Sequence, residues 1–248
     1  MKHIARSFAC LALGLAAPAL FAQFPSLAQP ERVSLKIIQT DDAVFPLSLR
    51  TTPVREGEAW IAINVDTKGK LIDYLVTGYS RKEFADTAVE ALKRWEYEPA
   101  RLGGELWPSI QEVHMSFSRT GVVVDLTGLE VLSARLGDLT KAMYAYRTYA
   151  LRELDRIPTP IEVVSPLSPA AGDKGKHTIT VEFYITEDGH VRLPSVKRHE
   201  ADDIYAASAM DAVRKWRFEP PLRKGRPVLV LAEQQFNFLP SAATAEKK

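Results

Sequence analysis

Between Ala59 and Asp66 the residues Ile61, Ile63 and Val65 alternate with Trp60, Ala62 and Asn64. Between Thr178 and Thr186 the same alternation sets Val181, Phe183 and Ile185 against Thr180, Glu182 and Tyr184. A period of two over this length predicts a half-buried strand with one apolar face. Both strands run into turn chemistry, Thr67-Lys68-Gly69-Lys70 and Glu187-Asp188-Gly189-His190. Asp-Gly predicts a two-residue hairpin turn at 188–189, because such turns need positive φ at both central positions. Second strands follow, LIDYLVTG (71–78) and VRLPSVKR (191–198). Pro194 offers no N–H, which places the latter at a sheet edge or a bulge.

The period then changes to that of a helix. Phe84, Ala88, Ala91, Leu92 and Trp95 fall on one face, as do Tyr205, Ala209, Ala212, Val213 and Trp216. Ser80-Arg81-Lys82-Glu83 has the form of a capping box, and Asp202 and Asp203 suit the positive start of the second helix. Each stripe ends in nearly the same spelling, RWEYEP (94–99) and KWRFEP (215–220). Proline restricts the residue before it away from the α region, so Glu98-Pro99 and Glu219-Pro220 are expected to stop the helices. Their tryptophans continue the apolar stripes and are expected in the core. Beyond Gly104 and Gly225 come third strands, IQEVHMSFS (110–118) and LVLAEQQFNF (229–238).

A repeat at about 120 positions organises the chain. The predicted fold class is α+β: two tandem β-β-α-β units, each a three-stranded antiparallel sheet covered by one helix, joined by a helical linker. The domains are placed at 30–125 and 158–239. Between them, residues 126–157 carry a Thr127/Glu130 capping box and the stripe Leu129, Leu132, Leu136, Leu139, Met143, Tyr146. Residues 240–248 are small and polar, which predicts a disordered tail. At the other end, Lys2, His3 and Arg6 precede an apolar run from Phe8 to Ala22 that ends in small residues. That run falls short of the roughly 20 residues of a spanning helix and matches a cleaved signal peptide over 1–22. An exported, periplasmic chain with no integral membrane segment after cleavage is the expectation, with retention of the segment as an inner-membrane anchor the alternative.

Composition narrows the chemistry. Net charge is +1, so no strong field favours nucleic acid. The single cysteine, Cys10, lies in the apolar leader, leaving the processed chain without thiol chemistry. Phosphate-loop, G-x-S-x-G and H-E-x-x-H patterns are missing from the sequence. His177 and His199 fall on opposite faces of the second predicted hairpin, against a shared metal. No catalytic residue, metal site or cofactor is expected, and the chain is read as a non-enzyme.

The order of aromatic-Pro, alternating strand, Gly turn, strand, helix, W-x-[YF]-E-P and final strand resembles the C-terminal domain of TonB-type energy transducers. Phe45-Pro46 through Phe117 carries it once and Pro166 through Phe238 again, the second copy with ITEDGHV and WRFEP. The resemblance implies a protein-binding module that receives an extended segment of an outer-membrane receptor beside its last strand. By position that edge is Val113, His114, Met115, Ser116 and Phe117 in the first copy. In the second it is Ala232, Glu233, Gln234, Gln235, Phe236, Asn237 and Phe238. Two rivals stand beside this: an inner-membrane-anchored energy transducer, and a structural or assembly protein of the envelope, with homodimerisation left open.

Overall fold

The computed structural model describes residues 32–39, 43–102, 104–107, 109–128, 144–168, 177–196 and 203–238. The leader, residues 129–143 of the expected linker helix, His199, Asp202 and the tail lie outside these. Strand β1, Lys36–Gln39, precedes a 3₁₀ turn at Leu47–Leu49. The chain then gives β2 (Glu56–Val65), β3 (Leu71–Tyr79) and helix α1 (Lys82–Leu92). It continues with β4 (Glu96–Glu98), β5 (Ser109–Ser118) and β6 (Gly121–Gly128). Two short strands, β7 (Tyr146–Arg147) and β8 (Tyr149–Ala150), lead into the C-terminal part of the chain. There follow β9 (His177–Ile185), β10 (Val191–Val196), helix α2 (Asp203–Val213) and β11 (Val230–Phe238).

The α+β expectation of two three-stranded units joined by a helix is overturned. The fold is predominantly β, with two α-helices among the described residues. The first sheet has five strands in the order β7-β3-β2-β5-β6, and the second has four in the order β8-β11-β9-β10. The physical reason lies in the segments between β5 and β9. Ser118 and Gly121 pair across a two-residue turn, and Val122, Val124 and Leu126 then alternate inward, so residues expected to lead into the linker make a hairpin instead. Residues 144–157 hold strands and a 3₁₀ turn at Leu151–Glu153, not helix. Here β7 extends the β3 edge antiparallel and β8 extends the β11 edge parallel.

Each sheet buries its odd-numbered row under a helix. Ala59, Ile61, Ile63 and Val65 pack with Phe84, Ala88, Ala91, Leu92 and Trp95; Ile179, Val181, Phe183 and Ile185 pack with Tyr205, Ala209, Val213 and Trp216. The even-numbered rows are buried too. Trp60 and Ala62 meet Tyr184, Leu193, Leu229 and Leu231 in a third core between the two sheets. The layers therefore run helix, sheet, sheet, helix. Arg192 bridges to Asp73 at 2.5 Å across this joint, the Tyr146 hydroxyl donates to Glu187 Oε1 at 2.5 Å, and Thr148 donates its hydroxyl to the Thr77 carbonyl at 2.9 Å. Two carboxylates, Glu112 and Glu182, are buried on the same faces, and Thr77 Oγ1 donates to Glu112 at 2.7 Å. Burial without water is tolerated for such groups only when partners take its place.

The repeated RWEYEP and KWRFEP segments do not stop helices at Glu-Pro. The helices end earlier, at Leu92 and Val213, and the tryptophan amides donate to the carbonyls of those residues. Tyr97 and Phe218 then lie in short strands, pairing with β1 and with Pro160–Glu162 respectively. The glutamates are ion-paired, Lys36–Glu98 at 3.7 Å and Arg156–Glu219 at 2.6 Å. Ser80 does not cap α1: its hydroxyl accepts the Glu58 N–H at 2.9 Å, tying the helix start to β2. The 188–189 turn is also wider than expected. Gly189 N–H bonds to Thr186 and Thr186 N–H to His190, with Gly189 at φ +85, a turn followed by a glycine bulge. A side chain at Gly189 would sit 1.9 Å from the Phe218 carbonyl oxygen, and one at Gly69 2.2 Å from that of Tyr97. Hairpin tip and W-x-aromatic segment are thus locked together at both places.

Candidate interaction edge

The two strands expected to offer edges differ in what surrounds them. Strand β5, with Val113, His114, Met115, Ser116 and Phe117, lies inside its sheet, paired to β2 on one side over ten residues and to β6 on the other. The position a partner strand would take beside it is filled by the chain's own next segment. Val113, Met115 and Phe117 face the helix-covered core, while His114 stacks on Trp60 with ring centroids 3.7 Å apart. His114 lies within 3.6 Å of Glu58 and 3.8 Å of Asp125. Tyr144 joins the same cluster, donating to Glu58 and accepting from Trp60 Nε1 at 3.2 Å. Burial, with the hydrogen bond to Glu58, pushes the Tyr144 hydroxyl up to about 12, so it remains a donor at any physiological pH.

Strand β11 is covered differently. It pairs with β9 without interruption from Val230 to Phe238, but on its other side β8 meets only Val230 and Leu231. From Ala232 to Phe238 no strand among the described residues pairs with that side. The direction of the backbone groups follows from two bonds. Tyr149 N–H donates to the Leu229 carbonyl at 2.9 Å, so residue 229 points its carbonyl toward β8. In an antiparallel ladder each residue turns both backbone groups to one side and its neighbours turn theirs to the other. The register is continuous, so 231, 233, 235 and 237 share the outward direction. The Gln235 carbonyl agrees, accepting the Gln234 side-chain amide at 2.8 Å instead of a β9 donor.

The side chains sort by face. Ala232, Phe236 and Phe238 pack toward α2: Phe236 lies 5.7 Å from the Trp216 ring and Phe238 4.9 Å from Tyr205. Glu233, Gln235 and Asn237 are exposed on the opposite face, where Asn237 accepts from Thr178 at 3.0 Å, and Gln234, opposite Val181, is exposed on the α2 side. The edge thus combines a rigid aromatic underside with a polar, hydrogen-bonding top. Sequence reasoning placed residues 232–238 on a strand of this kind. It missed β6, although Gly121 after a two-residue turn and the alternation of Val122, Val124 and Leu126 carried the signal.

Residues 170–240 match the family model of the Gram-negative bacterial TonB protein C-terminal. That segment contains β9, β10, α2 and β11. The match supports a TonB-like protein-interaction module in this part of the chain, and domains of the matched family are non-enzymatic and periplasmic. No curated protein matches the chain. No helix among the described residues is long and apolar enough to cross a membrane.

Proposed function

We propose that this chain is a periplasmic, non-enzymatic binding protein that takes up an extended segment of a partner as an added strand along Ala232–Phe238. The observation that carries this is the one-sided pairing of β11, within the segment that matches the TonB C-terminal family. An exposed edge supplies backbone donors and acceptors for affinity, and alternate side chains supply selectivity. The partner segment inferred from the family is one of an outer-membrane TonB-dependent receptor. On this reading both repeats are TonB-like, but they are not equivalent: the first has its edge taken by β6, and the second does the binding. Adding a receptor-derived peptide to isotope-labelled chain should shift the backbone amide signals of 232–238. Shifts confined elsewhere, or none, would overturn the proposal.

A further inference from the structure

The hairpin that closes the β5 edge creates another. Strand β6 lies at the outer margin of the five-stranded sheet, and no strand among the described residues pairs with its far side. Its eight residues, GVVVDLTG, carry neither lysine nor proline, two of the devices by which exposed edges are blunted, and a single charge, Asp125. A groove of about 470 Å³ opens on its inner face, lined by Val122 and Val124 together with Phe45, Trp95, Arg50 and Arg119. Arg119 donates to the carbonyls of Thr52 and Val54 and lies over the Phe45 ring, all of them neutral groups. Arg50 is exposed at the groove, and among the described residues that line it none is acidic.

We propose that β6 and this groove form a second docking site, for an extended partner segment that carries an acidic side chain between apolar ones. A strand added to β6 lies about 4.8 Å from it, and every second side chain of that strand faces the same side as Val122 and Val124. Those side chains enter the groove, apolar ones beside Trp95 and an acidic one at the arginines, where a bidentate guanidinium–carboxylate pair is favoured. A second copy of this chain fits less well. Its β6 offers one acidic residue, Asp125, and in a continuous sheet Asp125 faces the opposite side, where it already lies 3.8 Å from His114.

The test uses a random nonapeptide phage library panned on the full-length chain and on its R50E variant. Arg50 is exposed, so the substitution leaves the core untouched. Peptides selected by the parent chain should carry Asp or Glu at two-residue spacing from apolar residues; those selected by R50E should exchange it for Lys or Arg. A synthetic copy of the commonest parent-selected peptide should shift the amides of Gly121–Gly128. It should also weaken roughly three- to tenfold on R50Q, the range for losing one partly exposed charged pair. A Q235P variant, altered at the other edge, should bind it unchanged. Selected peptides without an acid, indifference to R50E, a footprint on 232–238, or self-association of the chain through β6 would each overturn the proposal.

Discussion

The direction of the backbone groups along β11 can be tested by a pair of prolines one residue apart. Gln235 turns its N–H away from β9, whereas Gln234 turns its N–H into the β9 ladder opposite Val181. Proline removes the N–H and is tolerated on an edge strand only where that group faces outward. Q235P therefore removes no bond of the fold, and its stability cost should stay within about 1 kcal/mol. Q234P breaks a ladder bond and leaves a carbonyl of β9 short of its donor, at a cost of about 2–3 kcal/mol or more. For a unit of this size each kcal/mol moves the midpoint by about 2–4 °C. Q234P should thus unfold roughly 4–12 °C below the parent, and Q235P within about 4 °C, by circular dichroism. Binding should reverse the order of interest. Q235P takes one donor from an incoming strand, about 1 kcal/mol net, and sets its ring where that strand must lie. At least about a tenfold loss of affinity is expected, equivalent to about 1.4 kcal/mol. If Q235P were as destabilising as Q234P, the outward assignment of odd-numbered residues would be wrong. If it folded and bound a receptor-derived peptide as tightly as the parent, the edge would not be the docking strand.

Three further outcomes follow from the same structure. The Tyr184 hydroxyl is buried between the sheets without a hydrogen-bond partner among the described residues, so Y184F should stabilise the chain by about 1 kcal/mol, read as a higher urea midpoint; a lower midpoint would mean that the hydroxyl is satisfied. G189A should cost at least about 2 kcal/mol, since Gly189 combines φ +85 with a carbonyl oxygen 1.9 Å from the new carbon; an unchanged urea midpoint would show that the hairpin tip is not locked to Phe218. Asp155 is held below the usual carboxylate range by the N–H groups of Gly225 and Lys224, at 2.8 and 2.7 Å. A depressed folded value means that its contribution is present above the unfolded value of about 3.9 and is lost as pH falls through the folded one. The melting temperatures of the parent and D155N should accordingly differ at neutral pH and converge below about pH 4, and a gap independent of pH would refute the assignment.

The parts of this fold that could be read from sequence are those in which one apolar row meets one helix. Phe84, Ala88, Ala91, Leu92 and Trp95 are all buried where their spacing puts them, as are Tyr205, Ala209, Ala212, Val213 and Trp216. What could not be read is the joint between the sheets. Period-two reasoning assigns one face to the core and the other to water, yet Trp60, Ala62 and Tyr184 lie on the second face and are buried. The near-continuous apolar run AWIAINV was consistent with a strand buried on both faces. In β9 Thr180 and Glu182 interrupt that run, and both are buried polar groups, which the alternation alone assigns to water. Strands β7 and β8 are two residues each, too short for any periodicity, and exist because the chain crosses from one sheet edge to the other.

That crossing decides what the candidate site looks like. Thr148, between the two short strands, donates both its N–H and its hydroxyl to Thr77, while Tyr149 donates to Leu229. The connection therefore pins β3 of one sheet to β11 of the other and covers the start of the β11 edge, leaving residues from Ala232 onward uncovered by any described strand. An edge held by a shared core and by α2 is already in strand geometry before a partner arrives, so ordering costs fall on the incoming segment alone. The same logic distinguishes the two sheets. In the first, a two-residue turn returns the chain onto β5, and a segment already tethered beside an edge outcompetes a free one by its effective concentration. The two sheets thus share a core pattern and differ in which edge no described strand covers, β6 with its arginine-lined groove in one and β11 in the other.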